Sequence, residues 1–259
     1  MANIIDAIVT LVKRNNFSLK DLNVGNNRAN SRSDALELYV KNLFANTFDC
    51  VETERLERWN KIFSWLGNSS NPPDFMLKGG DAVEVKKIES NDAAIALNSS
   101  YPKHTLKSSS PLISNACRTA ENWKEKDIIY TVGVVKGISL KNLCMLYGQD
   151  YCASEEFYRQ AALKSLDPLG ITRAKNFLYQ IENPWRVFGY VYQQNVHANF
   201  NFMCLINSRM WATLKNRAEL LKLQKDYPTL QIVDKQIKNP DNPAELRDAK
   251  LITYTLERL

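Results

Sequence analysis

A glycine pair, Gly79-Gly80, separates two short apolar runs, Phe75-Met76-Leu77 and Ala82-Val83, and charge marks the far side of each: Asp74 before the first, Glu84-Val85-Lys86 closing the second. Apolar runs around such a pair predict a β-hairpin over about residues 73–88. In a strand, residues i and i+2 share a face, so Glu84 and Lys86 point one way and Val85 points into the core. Asp74 joins them only under one condition. A two-residue turn at Gly79-Gly80 would pair Asp74 with Val85 and turn its carboxylate to the opposite face. Convergence of the three charges therefore requires an odd-length loop, a one-residue bulge near residues 79–81, or strands that splay before Asp74. Glycine at both positions keeps the strain of such a turn low.

Two carboxylates and an ammonium on one hairpin suit metal-dependent phosphodiester hydrolysis. Mg²⁺ takes oxygen ligands, usually one or two carboxylates, and keeps several waters. Asp74 and Glu84 are the candidate metal ligands, with the backbone carbonyl of Val85 as a further one. A bound metal acidifies its water and neutralises charge in the transition state. Lys86 beside it can orient the attacking water or stabilise developing charge.

The rest of the 259-residue chain bounds the setting. Hydrophobic residues at 44% and charged residues at 24% exclude a collagenous, low-complexity or disordered chain and fit a globular core. The net charge of +6 permits an anionic partner without demanding one. Cys50, Cys117, Cys144, Cys152 and Cys204 are odd in number, widely spaced and without a CxxC pair, and His104 and His197 lie far apart. That pattern points to free thiols in a reducing compartment and away from a disulfide framework or a zinc site. No apolar run reaches the roughly 18 residues of a membrane span, and the N-terminus reads as an amphipathic helix rather than a signal peptide, so a cytoplasmic location is expected.

Helical spacing predicts helices over 3–14, over the run DALELYVKNLFANTF after the polar loop 23–32, over 53–66 closed by Gly67, over 155–165, and over 208–225 with Met210, Trp211, Leu214 and Leu221 inside. Ser31 and Ser33 are good N-cap types for the second of these. Residues 93–98 read as a short helix or strand. Strands are expected over 127–136, 142–148, 200–206 and 251–256. With no clear linker, one α/β domain over residues 1–259 is the expected architecture.

Pro73-Asp74 followed by Glu84-Val85-Lys86 resembles the PD-(D/E)xK nuclease signature. The segments NPPDFMLKGGDAVEVKKIES (71–90), ALNSSYPKHTL (96–106), SSSPLISNACR (108–118), VGVVKG (132–137), DPLGIT (167–172) and KNPDNPAELRDAKLIT (238–253) look like type II restriction endonucleases of the NgoPII kind. The resemblance covers most of the chain in blocks. It implies a PD-(D/E)xK restriction-endonuclease-like core, with a mixed central β-sheet flanked by helices. It also implies a homodimer that uses Mg²⁺ to cut both strands of double-stranded DNA at a short palindrome, GGCC-like or GGWCC-like, leaving 5′-phosphate ends, with a cognate DNA methyltransferase as genetic partner. Carried over to this sequence, Asp74 and Glu84 hold the metal, Lys86 works on the water, and Glu37 in ALELYVK matches the helix-borne acid that such enzymes often add. Glu37 is otherwise a solvated residue on a helix face, and Asp81 a turn residue with a structural role.

Candidates for DNA contact follow the hairpin. Asn98, Ser99, Ser100, Tyr101 and Lys103 form one polar loop, and Asn115 and Arg118 close the next, making recognition loops over about 96–118. Arg118 is the candidate for guanine readout and Lys103 for phosphate. Arg173 and Lys238 are further candidates in the C-terminal half, and Arg28 and Arg32 could touch backbone or minor groove. Each, taken singly, also reads as a surface polar group. Trp59, Trp65, Trp123, Trp185 and Trp211 fit core positions better than base stacking. Two rivals to a restriction enzyme stand beside this reading: a structure-specific repair nuclease of the same fold, which needs no sequence-reading loops, and a non-catalytic DNA-binding protein.

Overall fold

The computed structural model of the chain describes residues 2–19, 28–68, 70–90, 93–97, 102–158, 160, 179–181, 184–188 and 198–257. Helix α1 (Ile4–Arg14) starts where its cap residues dictate. Asn3 accepts from Ile5 N at 2.7 Å, Asp6 Oδ2 accepts from Asn3 N at 2.8 Å, and Asn15 ends the helix in the left-handed conformation. Helix α2 (Arg28–Ala45) begins earlier than expected and takes in residues 28–32, with Ser31 and Ser33 inside it rather than at its cap. Its apolar face, Leu36, Tyr39, Val40 and Leu43, is fully buried. That docked face anchors the helix, and the Arg and Ala upstream are good formers into which it propagates.

Helix α3 (Glu52–Ile62) stops short of the predicted end, because residues 63–65 form strand β1 (Phe63–Trp65). There Phe63 pairs with Leu77 and Trp65 with Met76 of β2 (Phe75–Leu77), so sheet pairing overrides the helical pattern. Strand β3 (Ala82–Ile88) follows the turn, then β4 (Ile95–Leu97), β5 (Thr105–Lys107), the short helix α4 (Asn115–Arg118), β6 (Glu125–Lys136), β7 (Ser139–Tyr147) and α5 (Gly148–Tyr151). Residues 155–158 are helical; most of the predicted helix beyond them lies outside the described residues. Strand β8 (Tyr179–Ile181), α6 (Pro184–Val187), β9 (Ala198–Asn207), α7 (Ser208–Ala212), α8 (Leu214–Asp226), β10 (Leu230–Lys238) and β11 (Leu246–Glu257) complete the order.

One large sheet runs β1-β2-β3-β6-β7-β9-β11-β10, with β5 added on β6, while β4 and β8 pair apart from it. It is mixed: β3 lies parallel to β6 and β7 parallel to β9, and the other pairs are antiparallel. Alternation along the strands divides the core. Phe75, Val83, Ile129, Met145 and Phe202 pack with α1, α2 and α8 on one face; Met76, Ala82, Tyr130, Leu146 and Leu205 pack with Cys117, Tyr151 and Trp185 on the other.

Two readings of the C-terminal half need correction. The single helix expected over 208–225 is broken at Thr213, so the helical phase restarts and leaves Leu214 and Leu221 exposed, with Leu220 and Leu223 buried instead. Strand β10 was not foreseen, because Asp234, Lys235 and Gln236 interrupt its apolar pattern; it is an edge strand, at the end of the sheet opposite β1, where charge blocks unwanted pairing. All five cysteines are free. Among the described residues no helix is long and apolar enough to cross a membrane.

Candidate active site

The turn meets the condition set by the sequence. Phe75 pairs with Val83 and Met76 with Ala82, and Leu77 N donates to Asp81 O at 2.9 Å, so the loop is the odd-length Lys78-Gly79-Gly80. Gly79 takes a φ of 61°, which glycine adopts without strain. Extending the register sets Asp74 across from Glu84. Ala82 and Ile88 pack in the same cluster as Met76, so Asp74, Glu84 and Lys86 share that face, while Val85 packs against the opposite core as foreseen.

Neighbouring backbone fixes Asp74. Its Oδ2 accepts from Val85 N at 2.6 Å, and Trp65 Nε1 holds the preceding carbonyl, Pro73 O, at 3.2 Å. Gly67, expected to close a helix, instead lies against Asp74 with a φ of 90°; a Cβ there would sit 2.2 Å from Asp74 O. Glu84 Oε1 accepts from Lys86 Nζ at 2.6 Å, and Glu84 Oε2 is buried without a hydrogen-bond partner.

Burial pushes the Asp74 carboxyl up to about 8, and Glu84 adds to this by repulsion while Lys86 opposes it. Burial alone would lower the Lys86 ammonium, but the Glu84 and Asp74 carboxylates more than offset that and hold it above the usual lysine range. Lys86 is therefore a fixed cation rather than a base. Glu37 faces the same group: its charge acts on both Asp74 and Lys86. It is positioned by Lys41, whose Nζ lies 2.5 Å from Glu37 Oε1 and donates to Leu66 O at 2.9 Å. Lys41 was missed in the sequence, although its spacing of four from Glu37 is that of a helical ion pair.

Two carboxylates, one of them with an orphaned oxygen, and a neighbouring peptide carbonyl fit a hard divalent cation with part of its water shell. Among the described residues no three His, Cys, Asp or Glu side chains converge as a ready-made metal cage. A cation at Asp74 and Glu84 would satisfy Oε2 and favour an ionised Asp74.

The other candidates scatter. Lys103, expected in an open loop, is buried at 6% exposure, and burial lowers its ammonium to about 8 while Glu155 and Glu84 oppose the fall. Arg118 is exposed but donates to Ser110 O at 3.0 Å, folding over its own loop. Asn115 is the exposed first residue of α4, and Lys238 is exposed at the end of β10. Asn98, Ser99, Ser100, Tyr101 and Arg173 lie outside the described residues, as do the side chains of Arg28 and Arg32. Asp81 stays apart from the site and accepts from Tyr147 Oη at 3.1 Å.

Comparison with known proteins gives two matches. The family model described as NgoPII restriction endonuclease matches residues 2–164 and 160–238. The type II restriction enzyme NgoPII of Neisseria gonorrhoeae is 48% identical over 279 aligned positions, spanning 98% of this chain and 100% of that protein. No solved structure matches.

Proposed function

This chain belongs to the NgoPII restriction endonuclease family, and from that premise we propose that its hairpin site hydrolyses double-stranded DNA with Mg²⁺. It is a site-specific endonuclease of type II. The finer reading is a PD-(D/E)xK enzyme acting as a cytoplasmic homodimer on a short GGCC-like or GGWCC-like palindrome, leaving 5′-phosphate ends, with a cognate methyltransferase protecting the host's own sites. The observation that supports it best is the three-residue turn, which sets Asp74 across from Glu84 and on the face of Lys86.

In that reading Asp74 and Glu84 would hold Mg²⁺, with the Val85 carbonyl as a third ligand. The bound cation would supply an acidified water and polarise the scissile phosphate. Lys86 keeps its proton beside Glu84 and donates to the attacking water or to a non-bridging phosphate oxygen, where negative charge grows. Glu37 keeps Lys86 charged, and Lys41 holds Glu37 in place. Water adds to phosphorus and gives up a proton to solvent, the bond to the 3′ oxygen breaks, that oxygen takes up a proton from solvent to leave as a 3′ hydroxyl, and the phosphate stays on the 5′ side.

Incubation of plasmid DNA with the protein and Mg²⁺, followed by sequencing of the ends, tests this. Discrete fragments with uniform 5′-phosphate ends at one palindrome are expected. Nicking at branched structures, or gel retention without cutting, would sink the proposal in favour of a repair nuclease or a non-catalytic binder.

A further inference from the structure

A cavity of about 380 Å³ lies between β10, α5 and the end of α6 with Phe188 beyond it, and Asp150, Tyr151, Phe188, Lys235, Lys238 and Asn239 are among its lining. Its floor belongs to the same face of the sheet as the catalytic hairpin: Ile237, Tyr151 and Phe188 share one apolar cluster with Met76, Ala82 and Tyr130. The face that presents Asp74, Glu84 and Lys86 to a duplex therefore also presents this recess, farther along the sheet.

Asp150 is the unusual member. It is 5% exposed, and its Oδ2 is buried with no hydrogen-bond partner. Burial pushes its carboxyl up to about 6, opposed by the charges of Arg247 and His104, so at neutral pH it is ionised and can only accept. An ionised oxygen left unpaired in a protein interior is destabilising unless something supplies a donor. The volume is that of a small-ligand site, aromatic residues form part of the wall, and the exposed Lys238 stands at the rim.

We propose that this cavity reads a cytosine of the target duplex, with Asp150 accepting from the exocyclic N4 amine. The inference rests on the endonuclease reading above. Chemistry selects the base. At the major-groove edge cytosine offers an amine alone, whereas adenine sets its N7 acceptor beside its amine, and guanine and thymine offer acceptors where a carboxylate needs a donor. Lys238 suits the acceptors that remain, a phosphate or the paired guanine.

The test compares wild type, Asp150→Leu and Asp150→Asn on duplexes carrying the cleaved sequence, with every base pair substituted in turn and with N4-methylcytosine placed at each cytosine. Wild type is expected to lose about tenfold or more in kcat/KM at one cytosine, for both substitution and N4 methylation. Asp150→Leu should be indifferent at that position and Asp150→Asn intermediate, since a neutral acceptor bonds the amine more weakly. Thermal melting should show neither variant less stable than wild type, because both remove a charge whose burial outweighs the attraction of Arg247 and His104. Wild type insensitive to N4 methylation at every cytosine, or variants that keep full discrimination there, would overturn the inference while leaving the endonuclease reading intact. Absence of any site-specific cutting by wild type would instead remove the endonuclease reading itself.

Discussion

Asp74 is braced from three directions: Val85 N on its carboxylate, Trp65 on the peptide before it, and Gly67 against its carbonyl. The last contact is the most sensitive to mutation. Gly67→Ala places a methyl 2.2 Å from Asp74 O and forces a non-glycine residue to a φ of 90°. The fold should survive with a loss on the order of 1–3 kcal/mol, whereas displacement of the carboxylate should cost on the order of 100-fold in cleavage rate. Circular dichroism with cleavage kinetics checks both; an alanine variant cutting at wild-type rate would remove Gly67 from the positioning of Asp74. The raised Asp74 pKa carries its own prediction. Between the ordinary carboxylate value of 3.8 and about 8, the metal-free folded state binds more protons than the unfolded state, so stability falls as pH rises through that window. Mg²⁺ favours the ionised form, so its affinity should climb with pH up to about 8. Melting curves with and without Mg²⁺ should show both trends in wild type; in Asp74→Asn the Mg²⁺ trend and the fall in stability between about 6 and 8 should vanish, while a fall below about 6 remains from Asp81 and Asp150, and equal trends above 6 in the variant would assign them elsewhere. At this scale the sequence was legible where spacing sets geometry, as for Glu84 and Lys86. It was not legible where the fold decides: nothing local tells that Lys103 is buried or that Gly67 touches Asp74.

The hairpin as an element is pinned from outside. Lys126 Nζ donates to Gly80 O at 2.6 Å and Leu77 O at 3.2 Å and pairs with Glu121, whose Oε2 accepts from Gly79 N at 2.8 Å. The pair thus ties both sides of the Lys78-Gly79-Gly80 loop to the start of β6. A three-residue loop with two glycines has little preference of its own, and a shift of one residue would turn Asp74 to the wrong face. Lys126→Met keeps the stem but leaves Glu121 and two carbonyls without their cation. Loss of one partner of a buried pair should cost on the order of 3–5 kcal/mol, read as a lower urea midpoint, together with loss of cleavage below the new midpoint. A variant with unchanged stability and activity would show that the loop holds its register alone. Element type was readable where the pattern was strongly periodic or continuously apolar, as in α1, β6, β7 and β9. It failed where long-range pairing decided, as in β1, drawn out of a helical run by β2, and in β10, a charged edge strand recognisable only by its partner β11.

For the whole molecule, the pattern of apolar and polar residues was enough to announce an α/β chain, and the mixed sheet followed only from the family resemblance; neither announced the strand order, since pairs such as β7 with β9 join residues far apart in sequence. The arrangement that results gives each chain a single Asp74–Glu84–Lys86 group, on one face of one sheet. A single group faces one phosphodiester at a time, and the two strands of a duplex run in opposite directions. Cutting both strands of a palindrome in one encounter therefore calls for a second group related to the first by a two-fold axis, which a symmetric pair of chains supplies. This separates the proposed homodimer from a monomer that cuts twice. Wild type mixed with an excess of Lys86→Ala chains, after exchange at low protein concentration, should form mostly mixed pairs carrying one working site. Supercoiled plasmid should then pass to nicked circles that accumulate, with linear product suppressed well below the fraction of wild-type chains present. A monomer would instead give linear product in proportion to that fraction, with the same transient nicked species as wild type alone, and that result would dismiss the dimer while leaving the hairpin chemistry untouched.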